Sequence, residues 1–285
     1  MRTVPHKLLL ALLFSMQLAL AQPEKTAWDV LKQGLIDKNP DKRRQAVTAA
    51  GSIGLIPEAI QKVEEALHDK DPIVRQTAAA ELAEMKSTRS IPALKTEIDD
   101  PSGEVAFAAA KALWDLGDVS GRALIEDVLT GEQKTSEGMV SGAVNDAKRK
   151  MHDPKALAVM GFKEASGALL GPFNMGLVAA EQALKDGSAG ARSLAVDLLA
   201  KKCDPATRQL LEWSYTYDKN WAVKAASAKG LGQCGDSESI PKLEQGLSDS
   251  HEAVKDMSAA AIIRLSQTAV KAANAAASSA GASSF

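Results

Sequence analysis

Polar and apolar positions recur along this chain with helical spacing. Ile56, Ile60, Val63 and Leu67 fall three or four residues apart on one face of a helix whose other face is charged. Pro57 suits the first turn of that helix, where its missing N–H costs nothing. Asp71-Pro72 then offers an N-cap and a first-turn proline for a second helix, with Val74, Ala78, Ala79 and Leu82 facing inward. Ile91-Pro92 and Ile240-Pro241 open corresponding helices elsewhere. No strand-like alternation runs over a useful length. The pattern predicts antiparallel helix pairs joined by short turns.

These pairs recur at a fixed period. Asp37, Asp69, Asp100, Asp186, Asp218 and Asp249 each stand six residues before an anchor position, held by Arg43, Arg75, Ala106, Arg192, Lys224 and Lys255. Steps between anchors are 32, 31, 86, 32 and 31 residues. Self-similarity at that period marks a solenoid, because one such unit cannot bury its apolar face without neighbours. Small side chains follow three and four residues after the anchors: Ala78 and Ala79, Ala109 and Ala110, Ala195 and Val196, Ser227 and Ala228, Ser258 and Ala259. They let stacked helices approach. Leu82, Leu113, Leu199, Leu231 and Ile262, seven after the anchors, are expected to fill the layer between them. With aromatics at 4% of the chain, Ala, Leu, Ile and Val must build the core.

The stretch DKDPIVRQTAAAEL, Asp69 to Leu82, resembles the repeat core of HEAT-like proteins, of the type also found in phycobilin lyases. Asp218 to Leu231 and Asp249 to Ile262 are similar to it, and the resemblance covers about two-thirds of the chain beyond residue 21. It implies an all-α fold, an α-α superhelix (HEAT-like solenoid) of about six to seven helix-pair repeats. For function it implies little, since such repeats serve many unrelated tasks.

The aspartates and anchors are read as structural. A turn carboxylate accepts backbone N–H groups. The basic residue can pair with an aspartate of its own or of a neighbouring repeat. Asp100 is kept although its own anchor is Ala106, so the aspartate does not need a basic partner within its repeat. A row of catalytic acids, one per repeat, would make no chemical sense.

The ends differ from the middle. Arg2, His6 and Lys7 give a charged start, Leu8 to Leu20 is apolar, and Ala19-Leu20-Ala21 is a small-x-small site. That is the pattern of a secretory signal peptide over residues 1–21, cleaved before Gln22. Its apolar run is short for a bilayer span, and no other stretch is long and apolar enough to cross a membrane. The expected location is therefore exported, periplasmic or secreted. The net charge is −2, and removing Arg2 and Lys7 makes it −4, which gives no reason to propose nucleic acid or an anionic membrane as partner. The repeat array is expected over 22–267. Thr268 to Phe285, almost all Ala, Ser and Gly, is expected to prolong the last helix and then fray.

The marking fails over about 130–185. Val140 to Ala147 reads as a worn second helix, with Gly131 to Gly138 as an enlarged turn. Gly161 to Gly176, with Phe162 and Phe173, has too many glycines for an ordinary amphipathic helix. It reads either as a degenerate repeat packed at a kink or as an exposed apolar loop touching a partner. It matches no Gly-rich phosphate motif. A second concentration, Trp213, Tyr215, Tyr217 and Trp221, holds both tyrosines and half the tryptophans. These are candidate binding anchors or ordinary packing residues.

Cys203 and Cys234 fall at nearly equivalent places near the ends of second helices in adjacent repeats, and an even count in an exported protein admits a disulfide between them. No histidine or third cysteine lies near enough in sequence for a metal site. Some HEAT-like enzymes, the deoxyhypusine hydroxylases, hold iron with several His-Glu pairs; here His251-Glu252 is one such pair, while Asp follows His68 and His152. No catalytic residue, metal ligand or cofactor is assigned. The reading is an exported, non-catalytic scaffold of the cell envelope that binds a protein or peptide. The alternative is an oxidoreductase-type enzyme or accessory factor related to the HEAT-like lyases and hydroxylases. A purely structural spacer is a third.

Overall fold

The expected cap chemistry sets the helix starts. Asn39 Oδ1 accepts from the Asp41 N–H at 2.8 Å and opens α2 (Pro40–Ile53), with Pro40 in its first turn. Asp71 does the same for α4 (Pro72–Glu84) through the Ile73 N–H at 2.9 Å. Asn220 opens α10 (Trp221–Cys234) through the Ala222 N–H at 2.9 Å, and Asp204 opens α9 (Pro205–Tyr217) through the Thr207 N–H at 2.7 Å. Each cap satisfies one of the orphan donors of a first helical turn.

The structure, a computed structural model, describes residues 6–130 and 189–282, and among them there are helices and no strands. The remaining elements are α1 (His6–Leu35), α3 (Pro57–Ala66), α5 (Ile91–Thr96), α6 (Gly103–Asp115), α7 (Arg122–Thr130), α8 (Ala189–Ala200), α11 (Ile240–Gly246) and α12 (Glu252–Ala282). Gly131 to Gly138, Val140 to Ala147, the glycine segment with Phe162 and Phe173, and Asp186 lie outside the described residues. The chain divides into two compact units: Leu35–Gly190, and Met1–Gly34 with Ala191–Phe285.

In the unit Leu35–Gly190 the second helices α2, α4 and α6 pack in a row, α4 between the other two. The first helices lie against them, α3 on α2 and α4, α5 and α7 on α6. Val74, Ala78, Ala79 and Leu82 are buried, as the apolar pattern requires, together with Val63, Leu67, Leu94 and Leu113. Close approach has a local cause: a Cβ on Gly51 of α2 would fall 2.2 Å from Oε2 of the buried Glu81 on α4. At Ala106, the anchor without a charge, the position is given to packing, in a cluster with Ala110 and Leu124.

In the other unit α10 packs on α9 and α12, and α11 packs on α12. Leu231, Leu243, Ile262 and Ile263 are buried. A Cβ on Gly232 would come 2.9 Å from the Ala261 Cα, so α10 and α12 touch nearly backbone to backbone. Gln267 of α12 donates to Glu24 of α1 at 2.6 Å, while Ala27, Trp28 and Leu31 of α1 are buried. α12 runs on to Ala282, further than the Ala/Ser composition led one to expect. Leu199 departs from its expected core role: it is exposed, beside exposed Leu198. α8 is the first helix described after residue 188. No helix among the described residues is long and apolar enough to cross a membrane.

Candidate interaction surface

Four of the six anchors, Arg43, Arg75, Arg192 and Lys224, reach forward to the aspartate of the next repeat. Arg43 donates from Nε and Nη2 to the two carboxylate oxygens of Asp69, both at 2.7 Å. Arg75 grips Asp100 in the same way at 2.7 and 2.8 Å. In the other unit Arg192 does so with Asp218 at 2.9 and 3.2 Å, and Lys224 meets Asp249. The remaining guanidinium nitrogen holds the home repeat, Arg43 Nη1 on the Asp37 carbonyl and Arg75 Nη1 on the Asp69 carbonyl, both at 2.8 Å. The planar fork of arginine is suited to that three-way grip.

The same aspartates fold their own turns. Asp37, Asp69, Asp100, Asp218 and Asp249 each accept the backbone N–H two residues on, from Asn39, Asp71, Ser102, Asn220 and His251. Burial by itself raises the Asp69 and Asp100 carboxyls, but hydrogen bonds from arginine and from backbone N–H outweigh it, and both are held below the usual carboxylate range. Asp249 is lowered likewise against its burial, by Lys224 and the His251 N–H. Lys255, the last anchor, pairs within its own helix with Glu252 at 2.8 Å. These aspartates and their basic partners serve the turns and the stacking of one repeat on the next.

First helices are linked by contacts that the sequence reading missed. Ser90 Oγ donates to Glu64 Oε1 at 2.6 Å, and Ser239 Oγ to Glu212 Oε1 at 3.1 Å. The signal was available: each serine stands four residues before a buried leucine, Leu94 or Leu243.

The aromatic concentration separates by helical phase. Tyr215 follows Leu211 by four residues on the inner face and is 4% exposed. Its hydroxyl shares a 2.8 Å hydrogen bond with Ser258 Oγ of α12, and burial pushes its pKa up. Tyr215 is therefore a packing residue, which corrects its candidacy as a surface anchor. Trp213 and Tyr217 point the other way, 62% and 67% exposed, with ring centroids 6.0 Å apart. Leu210, not singled out from the sequence, completes the stripe at 54%. Its place three residues before Trp213 and seven before Tyr217 is what a helix face requires. Trp221 stands apart from that face: at the start of α10 it stacks on His251, centroids 5.6 Å apart and planes within 13°. The pair joins successive turns.

Cys203 and Cys234 carry free thiols, so the disulfide that the sequence admits is not formed in this structure. His251 bonds Ser250 and stacks on Trp221, and His68 lies 3.6 Å from Glu97. Among the described residues no three His, Cys, Asp or Glu side chains gather as a metal site would need. A shallow hollow between the ends of α4 and α6 is lined by Glu84, Lys86, Thr88 and Asp115.

The model of HEAT repeats matches residues 14–79, 28–114, 60–137 and 177–263. A solved structure of human deoxyhypusine hydroxylase in complex with glycerol is similar at 20% sequence identity, over 85% of this chain and 97% of that one, with a TM-score of 0.33. No curated protein matches the chain. The HEAT matches overlap and together span well over half of the sequence, and the helix pairs stacked through Arg43–Asp69, Arg75–Asp100 and Arg192–Asp218 lie within the matched segments: the chain belongs to the HEAT-repeat family.

Proposed function

We propose that this chain is an exported, non-catalytic HEAT-repeat scaffold that holds a protein or peptide partner in the cell envelope through the Leu210–Trp213–Tyr217 face of α9. The observation that carries this reading is the exposure of three large apolar side chains on one face of one helix. Exposed apolar side chains gathered in one place mark interaction sites, and Trp and Tyr are the residue types that dominate binding hot spots. The HEAT repeat supports a protein or peptide as partner, since stacked repeats present extended surfaces. Export rests on the three-part pattern of residues 1–21.

Two measurements test these parts separately. Intact-mass analysis of the protein recovered from the cell envelope should give a chain that begins at Gln22; a chain that retains Met1 to Ala21 in the cytoplasm overturns export. Affinity capture from envelope extracts should retain a partner on the wild type and lose it on a Trp213→Ala/Tyr217→Ala variant, with binding weakened roughly 30-fold or more. The variant should melt at the wild-type temperature, because exposed side chains change stability by only about 0.5 kcal/mol. Retention by both proteins, or a lowered melting temperature that makes the face a packing seam, overturns the assignment.

A further inference from the structure

Cys203 and Cys234 meet across successive repeats. Cys203 lies in the turn after α8, just before the Asp204 cap of α9, and Cys234 is the last residue of α10. The Cys203 Sγ–H points at the Ala200 carbonyl at 3.1 Å and at the Gln233 carbonyl at 3.7 Å, the latter belonging to the residue before Cys234. The Cys203 sulfur thus lies against the backbone of the residue that precedes Cys234. Helices in adjacent repeats lie about 8–10 Å apart, too far for a disulfide between their middles, but Cys203 stands beyond the end of its helix, and its sulfur reaches the Gln233 carbonyl of the next repeat.

The surroundings hold both partners in place. α10 is pressed onto α12 at Gly232 and Ala261, and its end is fixed by the 2.6 Å bond from the Gly235 N–H to the Leu231 carbonyl. Arg208 of α9 pairs with Asp236 just beyond Cys234. The two thiols differ in access: Cys203 is exposed and Cys234 is partly buried.

We propose that Cys203 and Cys234 form a disulfide by exchange with a small-molecule disulfide such as oxidised glutathione, Cys203 entering first and Cys234 resolving. The exposed Cys203 thiolate attacks one sulfur of oxidised glutathione; a mixed disulfide forms, the glutathione S–S bond breaks, and one glutathione leaves as a thiolate that takes up a proton. Cys234 then loses its proton and attacks Cys203 Sγ; the protein disulfide forms and the second glutathione leaves. Two protein thiols are oxidised and one small disulfide is reduced to two thiols. The closed loop encloses all of α9, the helix with the exposed aromatic face.

Burial first, then the hydrogen bond and charge of Cys203, push the Cys234 thiol up to about 12. The burial remains once Cys203 is capped, so the second step draws on a small thiolate fraction that grows about tenfold per pH unit. The test treats the purified full chain with glutathione redox buffers and maps non-reduced peptides by mass spectrometry. A Cys203–Cys234 linked peptide should appear, closing about tenfold faster at pH 8 than at pH 7, with melting raised by roughly 5–10 °C. Cys234→Ser should stop at one glutathione on Cys203, and Cys203→Ser, which keeps the buried thiol, should take up glutathione at least tenfold more slowly than wild type. Glutathione adducts on both cysteines of the wild type, or disulfides only between two chains, would overturn the pair. The experiment needs neither export nor a binding partner, so it stands apart from the proposed function.

Discussion

Leu231→Ala is expected to destabilise its unit by ~2–5 kcal/mol, and Leu82→Ala to do the same in the other. Both leucines are 0% exposed, seven residues past an anchor, between helices that cannot close over a cavity. α10 has no room to collapse toward α12, because Gly232 already touches the Ala261 backbone. The removed methyls therefore leave a void that the surrounding backbone cannot fill. Chemical denaturation with the wild type alongside reads the effect; an unchanged midpoint for either variant would mean that the layer between repeats is not where the stability resides. Leu199→Ala is the internal control. It has the same place in the repeat but is exposed, and should cost well under 1 kcal/mol.

Breaking one rung of the ladder should cost nearly as much. Arg75→Met leaves the Asp100 carboxylate, whose side chain is 5% exposed, with the Ser102 N–H and without its bidentate partner. Removing one member of a largely buried pair costs ~3 kcal/mol, because the remaining charge stays desolvated. The Lys111–Asp115 pair on the surface of α6, 67% and 42% exposed, should be worth less than about 1 kcal/mol by the same measurement. The pH dependence gives an independent check. Asp69 and Asp100 are held below their ordinary value in the folded chain, so they contribute stability above about pH 4 that is lost as pH falls through the lowered values. In Arg75→Met the arginine no longer offsets burial at Asp100, its folded value rises above that in the wild type, and protonation costs the fold less. The gap between variant and wild type should therefore shrink as the pH drops below about 4. A gap that stays constant from pH 7 to pH 3 would show that Asp100 is not coupled to Arg75.

Much of this was legible because a repeat writes the same local rule several times. Asp71-Pro72 and Asn39-Pro40 specify a helix start by capping and by the fixed φ of proline, both within a few residues. Val74, Ala78, Ala79 and Leu82 declare an inner face by spacing alone. Tyr215 and Trp213 were harder to tell apart. Both are aromatic and two residues apart, and the sequence singled out the cluster without dividing it. Counting from Leu211 would have divided it, since Tyr215 falls four residues later, back on the inner face, and Trp213 two residues later, on the outside. Leu199 misled for the converse reason: its position in the repeat is right, but it is exposed at the described edge of its unit.

The sequence by itself determined the helix pair, its period, its turns and its capping, because these depend on bonds spanning two to seven residues. Which aspartate each anchor holds was open until the structure was in view. Arg43 bonds Asp69 and Arg75 bonds Asp100, each with the repeat that follows, through contacts 25 or 26 residues long. Such contacts follow from the stacking distance and rotation of one helix pair on the next, which arise from the fit of Gly51 against Glu81 and Gly232 against Ala261. The same stacking brings Cys203 beside Cys234 and turns Trp213 and Tyr217 outward while Tyr215 goes in to Ser258.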